Sequence, residues 1–129
     1  MGDTSIPATA DRLAEAFGDF SATLAAWAEA QPEQIALRDE TGALSWAEMA
    51  DRIERIAARL VEEGLERGQA VAILGASSIP YALVFLAAVR AGGVAAPLTT
   101  SASSEQLAEM ARDSGAAHIF IDRAKLSEL

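Results

Sequence analysis

The sequence predicts an α/β domain in which βαβ units are layered on a mainly parallel sheet. After residue 69, short apolar strands alternate with helices and short loops, which is the pattern of right-handed βαβ crossovers. The uninterrupted apolar run Ala70–Leu74 is typical of a strand buried on both faces. A chain of 129 residues, 51% of them hydrophobic, is also long and apolar enough for one domain with a packed core.

The chain before residue 32 predicts a loose segment and then a helix. Residues 1–19 are expected to be a flexible N-terminal segment with a short helix after Asp11, and residues 20–129 an N-terminal α/β subdomain. Asp19 or Ser21 is the candidate cap of the next helix. Its apolar stripe, spaced i, i+3 and i+4, consists of Leu24, Trp27 and Ala28.

A hairpin and the clearest helix of the sequence come next. Residues 34–38 and 43–44 read as two short strands joined by a tight turn. Ser45 and Glu48 have the spacing of a capping box, in which each side chain satisfies a backbone N–H group near the other residue. The helix that starts there is predicted to end at Gly64, in the position favoured by glycine.

The strand Ala70–Leu74 leads into a second long helix. Ser77 or Ser78 is the candidate cap, and the glycine pair 92–93 marks the end. The helix is apolar nearly all round, so it is predicted to be buried.

Two further strands are predicted around a shorter helix. Residues 94–98 and 117–121 are the strands. The helix between them is capped by Ser103 or Ser104 and stops at Gly115. After residue 121 the chain enters what reads as another helix, so we expect the polypeptide to continue in a longer parent protein.

Charge and residue types exclude several classes of protein. Ten basic and nineteen acidic side chains give a net charge of −9, which repels nucleic-acid phosphates and anionic lipids. There is no cysteine, hence no disulfide framework, thiol nucleophile or cysteine metal site. The single histidine, His118, argues against a His-rich zinc site and against a Ser-His-Asp triad.

The sequence predicts no membrane span. Residues 69–89 carry no charge, but the turn sequence at 75–80 divides them into two buried elements. The first residues have neither the basic region nor the apolar core of a secretory signal. We therefore expect a soluble, cytoplasmic protein.

Two loops at predicted strand ends are the candidate ligand sites. The turn 75–78 precedes a helix N-terminus, yet it has one glycine instead of the G-x-G-x-x-G pattern that lets a backbone approach a pyrophosphate. A helix cap explains it better than a dinucleotide site. Residues 99–104 are rich in hydroxyl groups, but they include neither glycine nor lysine, which favours a flexible connector.

Single residues give weaker signals. His118 lies in an apolar strand pattern and is predicted to be a structural histidine with its hydrogen bonds satisfied. Asp122, at the end of that strand, could carry chemistry but has no partner carboxylate in sequence. Trp27 and Trp46 are interpreted as core or interface anchors. These residues form no constellation that can perform a reaction.

Five segments in order carry a family resemblance. They are residues 24–37, 44–49, 64–73, 89–98 and 105–122. Together they resemble the N-terminal part of the AMP-forming adenylating enzymes, a superfamily that includes acyl-CoA synthetases and nonribosomal-peptide adenylation domains. Segment 44–49 is similar to its first core motif, Leu-Thr/Ser-Tyr-x-Glu-Leu, and segment 89–98 to its second, Leu-Lys-Ala-Gly-x-x-x-x-Pro-Leu. Trp46 in place of tyrosine and Gln69 in place of aspartate are mild departures.

The resemblance implies an ATP-dependent acyl-CoA synthetase. Such enzymes convert a carboxylic acid and ATP into an acyl-adenylate with Mg²⁺, and then transfer the acyl group to the thiol of coenzyme A. The family's catalytic, cofactor-binding and metal-binding residues are expected downstream, so none is assigned in this sequence. The chain alone is expected to be an inactive scaffold fragment that binds no cofactor, with the remainder of the parent enzyme and a carboxylic acid as its partners. Fatty, aryl and amino acids all remain open as substrates.

Two other functions stay open. A non-catalytic α/β interaction domain would use the same scaffold to pair with another subunit, and a homo-oligomer is compatible with it. A free-standing dinucleotide-binding domain would bind NAD or ATP by itself. Sheet edges and apolar helix faces left uncovered also predict that the isolated chain self-associates.

Overall fold

The computed structural model describes residues 20–127, so the helix expected after Asp11 lies outside the described residues. The helices are α1 Phe20–Ala30, α2 Trp46–Glu62, α3 Ile79–Arg90, α4 Ser104–Ser114 and α5 Arg123–Leu126. The strands are β1 Ile35–Asp39, β2 Gly42–Ser45, β3 Ala70–Leu74, β4 Val94–Pro97 and β5 Ala116–Ile121. The chain divides into two compact units, and the boundary lies between Asp51 and Arg52, within α2.

The first unit contains α1, the hairpin β1–β2 and the start of α2. The two strands pair antiparallel, as predicted. Asp39 closes their turn, because its Oδ1 accepts hydrogen bonds from the backbone N–H groups of Thr41 and Gly42 at 2.8 and 3.1 Å. Trp27 and Trp46 stack on each other with ring centroids 5.5 Å apart. The stack therefore anchors α1 to the start of α2 within this unit.

Helix α2 begins and ends where the sequence predicts. The N–H of Glu48 donates to Ser45 Oγ at 3.1 Å, and the N–H of Ser45 donates to Glu48 Oε1 at 2.9 Å, which is the reciprocal pattern of a capping box. At the other end, the N–H of Gly64 donates to the Val61 carbonyl at 3.0 Å. Gly64 has a φ of 99°, as the end of a helix at glycine requires.

The second unit is built on a parallel sheet of three strands in the order β4–β3–β5. All residues of the central strand β3 are buried, which confirms the interpretation of its apolar run. Helix α3 packs against β3 and β4, and α4 packs against β3 and β5. The crossover from β3 to β4 and the crossover from β4 to β5 run in opposite directions across the sheet, so right-handed connections place α3 and α4 on opposite faces. The fold class predicted from sequence is confirmed.

The core of the second unit lies on the α3 side of β3. Its buried cluster consists of Leu60, Leu65, Val71 and Ala88. Partly buried side chains from α2, α3 and the outer strands, including Ile56, Val84 and Phe120, pack around it. Leu107 is the buried residue through which α4 covers the other face.

Helix α3 is less buried than its composition predicts. Only Leu83, Ala87 and Ala88 are buried along it, and its other apolar residues remain partly exposed. A three-stranded sheet covers one stripe of a helix, so an apolar composition all round does not by itself bury the opposite side. None of the described helices is both long and apolar enough to cross a membrane. The cytoplasmic location stays a prediction.

Candidate functional site

In α/β folds, ligands bind at the carboxyl ends of the parallel strands. In this protein Asp122 lies at that edge of the sheet, here called the carboxyl edge. The backbone N–H of Asp122 donates to the Leu74 carbonyl at 2.9 Å, which continues the β3–β5 pairing to the strand ends. Its carboxylate then accepts two further bonds, from the N–H of Ala76 to Oδ2 at 2.8 Å and from the N–H of Lys125 to Oδ1 at 2.7 Å. One side chain thus joins the turn after β3 to the start of α5.

These contacts set the charge state of Asp122. The hydrogen bond from the Ala76 N–H is the largest influence, followed by that from Lys125, and both lower the pKa of the Asp122 carboxyl below its ordinary value. The positive charge of Lys125 acts in the same direction, while partial burial opposes it. Asp122 is therefore an anchored carboxylate at neutral pH. It lacks the raised pKa that a general acid needs.

Gly75 is required by the closeness of this carboxylate. A Cβ atom at position 75 would lie 2.7 Å from Asp122 Oδ2, closer than real Cβ atoms approach a neighbour, and 3.1 Å from the Asp122 Cβ, which is also a tight contact. The lone glycine of this turn therefore makes room for a carboxylate. It does not free the backbone for a phosphate.

The turn 75–78 is a helix cap, as the sequence predicts. Ser78 is the N-cap of α3, and its Oγ accepts a hydrogen bond from the Tyr81 N–H at 3.2 Å. The Ala76 N–H, which an incoming phosphate would need, is already bound to Asp122. A carboxylate beside the helix N-terminus also repels a phosphate. The residues of this turn therefore do not fit ATP.

A small apolar cavity lies beneath the turn. It has a volume of about 120 Å³, and the side chains around it include Ile73, Pro80, Tyr81, Val84 and Phe120. Ligand pockets usually measure about 300–1,000 Å³, so an adenylate does not fit in this space. The cavity is therefore too small to serve as a nucleotide-binding site at the carboxyl edge.

The hydroxyl-rich loop after β4 is held by a residue that the sequence pattern does not reveal. Lys125 Nζ donates to the Thr100 carbonyl at 2.8 Å, so a lysine reaches a loop that contains none. Thr99 and Ser101 bond to each other through their hydroxyl oxygens, 2.9 Å apart. Ser103 caps α4 and forms a capping box with Gln106. These hydrogen bonds lie within the loop, at the start of α4 or between the loop and Lys125.

His118 differs from its prediction. Its Nδ1 is buried and has no hydrogen-bond partner, so the expectation of a fully satisfied ring is wrong for that atom. The reason is its register: His118 pairs with Val71, which is fully buried, and the neighbouring side chains on that face of the sheet are apolar. Within residues 20–127, no group of three or more His, Cys, Asp or Glu side chains could hold a metal ion.

The architecture has known counterparts. A sequence model of a family described as AMP-binding enzyme matches residues 24–129. The chain belongs to the AMP-binding enzyme family. The resemblance inferred from the five segments is therefore confirmed.

Proteins similar to this chain include a peptide synthetase by sequence and a CoA ligase by fold. Phosphinothricin tripeptide synthetase PhsB of Streptomyces viridochromogenes is 32% identical over 124 residues, which cover 85% of this chain and 10% of the synthetase. ATP-bound MatB from Rhodopseudomonas palustris is 30% identical with a TM-score of 0.74, covering 84% of this chain and 22% of MatB. A benzoate CoA ligase from Burkholderia xenovorans shares the fold with a TM-score of 0.82 at 22% identity, covering 88% of this chain and 23% of the ligase.

The chain spans 10% of the length of the curated relative named above and less than a quarter of the length of either solved chain. The two core motifs of the AMP-binding enzymes are scaffold elements in this chain. Residues 44–49 form the junction of β2 and α2, and residues 89–98 run from the end of α3 through β4. In the second motif a Cβ at Gly93 would lie 3.0 Å from the Gln69 carbonyl oxygen, so glycine permits the close approach of two backbones.

Proposed function

We propose that this chain is the N-terminal scaffold of an ATP-dependent acid–thiol ligase of the AMP-binding enzyme family. The parent enzyme converts a carboxylic acid and ATP into an acyl-adenylate and pyrophosphate, with Mg²⁺, and transfers the acyl group to a thiol. The observation that carries the proposal is the family match over residues 24–129. The carboxyl edge of the sheet agrees with a scaffold role, since Asp122 already binds the N–H group that a phosphate would need.

Coenzyme A is the proposed thiol. MatB and the benzoate CoA ligase overlay nearly the whole described chain, and the name of the latter states its acceptor. The peptide synthetase relatives favour a second candidate, a thiol on a carrier protein. The described residues 20–127 do not distinguish among fatty, aryl and amino acids, which are the classes of carboxylic acid to compare. A cytoplasmic location belongs to the same proposal.

The first test is ATP–pyrophosphate exchange by the complete gene product that contains these residues. The expected result is exchange that depends on one class among fatty, aryl and amino acids. Adding coenzyme A should then release AMP and consume the free thiol. Exchange without thiol consumption until a carrier protein is supplied would select the second acceptor.

The scaffold assignment needs its own control with the 129-residue chain. Calorimetry with millimolar ATP and Mg²⁺ should give no binding heat, and exchange activity should be absent. Binding of ATP by this chain would contradict the scaffold role and support a free-standing nucleotide domain. A gene with a stop codon directly after Leu129 would refute the ligase proposal, and the non-catalytic interaction domain would replace it.

A further inference from the structure

We draw no further inference here: the strongest candidate, the groove between α2 and the end of α3 that exposes Val61 beside Arg67, carries nothing because no contact within the described residues 20–127 shows what covers it.

Discussion

The two loops at the carboxyl edge of the sheet, residues 75–78 and 99–103, are held in place by different kinds of contact. The turn 75–78 after β3 is short and contains Gly75, and the Asp122 carboxylate bonds it directly. The loop 99–103 after β4 is longer and hydroxyl-rich, and it is ordered by bonds among its own residues and by one lysine. The turn 75–78 depends on the space that glycine leaves at position 75. The loop 99–103 depends on hydrogen bonds between polar groups at the surface. Both positions are ligand sites in other α/β folds, and here both are occupied by the protein's own contacts.

Gly75→Ala should produce the largest effect, because it tests the space that the first loop depends on. The added Cβ meets Asp122 Oδ2 at 2.7 Å and must displace a carboxylate held by two hydrogen bonds. We expect a loss of about 1–3 kcal/mol in the free energy of unfolding, the usual range for overpacking. Urea unfolding followed by circular dichroism measures it.

The control for this substitution is Gly42→Ala. No atom lies within 4 Å of a Cβ at Gly42, so its unfolding free energy should change by no more than about 0.5 kcal/mol. In the double variant Gly75→Ala, Asp122→Ala the overpacking is relieved. The double variant should therefore lose less than the sum of the two single losses. Strict additivity would show that the two residues do not interact.

Asp122→Asn should produce the next effect, and it depends on pH. The folded protein lowers the pKa of Asp122, so its stabilising contribution is complete above the unfolded value of about 3.9 and disappears as the pH falls through the folded value. The wild type should thus be more stable than Asp122→Asn at pH 7, and the difference should narrow progressively below pH 4. Urea unfolding of both proteins between pH 2.5 and 7 tests this. A difference that stays constant over that range would mean that the carboxylate charge has no role.

The sequence predicted the features that depend on residues close together in the chain, such as helix caps and strand burial. It did not predict the hydrogen bonds between residues far apart in the chain. Ser45 was identifiable as a cap, and Ser103 as one of two candidates, because their partners lie three residues away. The burial of β3 followed from its own composition. Asp122 and its partner Ala76 are 46 residues apart, and Lys125 and Thr100 are 25 apart. Only the parallel pairing of β3 with β5 brings the first pair together. No local sequence pattern predicts the contact between Asp122 and Ala76, although the position of Asp122 at a strand end indicated it in part.

Ser103→Ala tests the order of the second loop and should cost about 1 kcal/mol of unfolding free energy. Ser103 Oγ accepts from the Gln106 N–H at 3.2 Å, and the Gln106 side chain accepts from the Ser103 N–H at 2.9 Å. Loss of the hydroxyl leaves one N–H at the start of α4 without its acceptor. Thermal unfolding of Ser103→Ala beside Ser104→Ala provides the comparison. The sequence alone left both serines open as the cap, so equal effects would contradict the assignment to Ser103.

Lys125→Met should have the smallest effect on the free energy of unfolding. Its effect on hydrogen exchange should be confined to the loop 99–103. The bond from Lys125 Nζ to the Thr100 carbonyl is exposed, so its removal should cost no more than about 1 kcal/mol. Methionine retains the apolar stem, and the backbone N–H of residue 125 still donates to Asp122, so the turn 75–78 should keep its protection from hydrogen exchange. Amides of the loop 99–103 should exchange faster. Faster exchange in 99–103 alone would show that each loop is ordered by its own contacts. Equal acceleration in both loops would show that they open as one cooperative unit, which would contradict the difference between them.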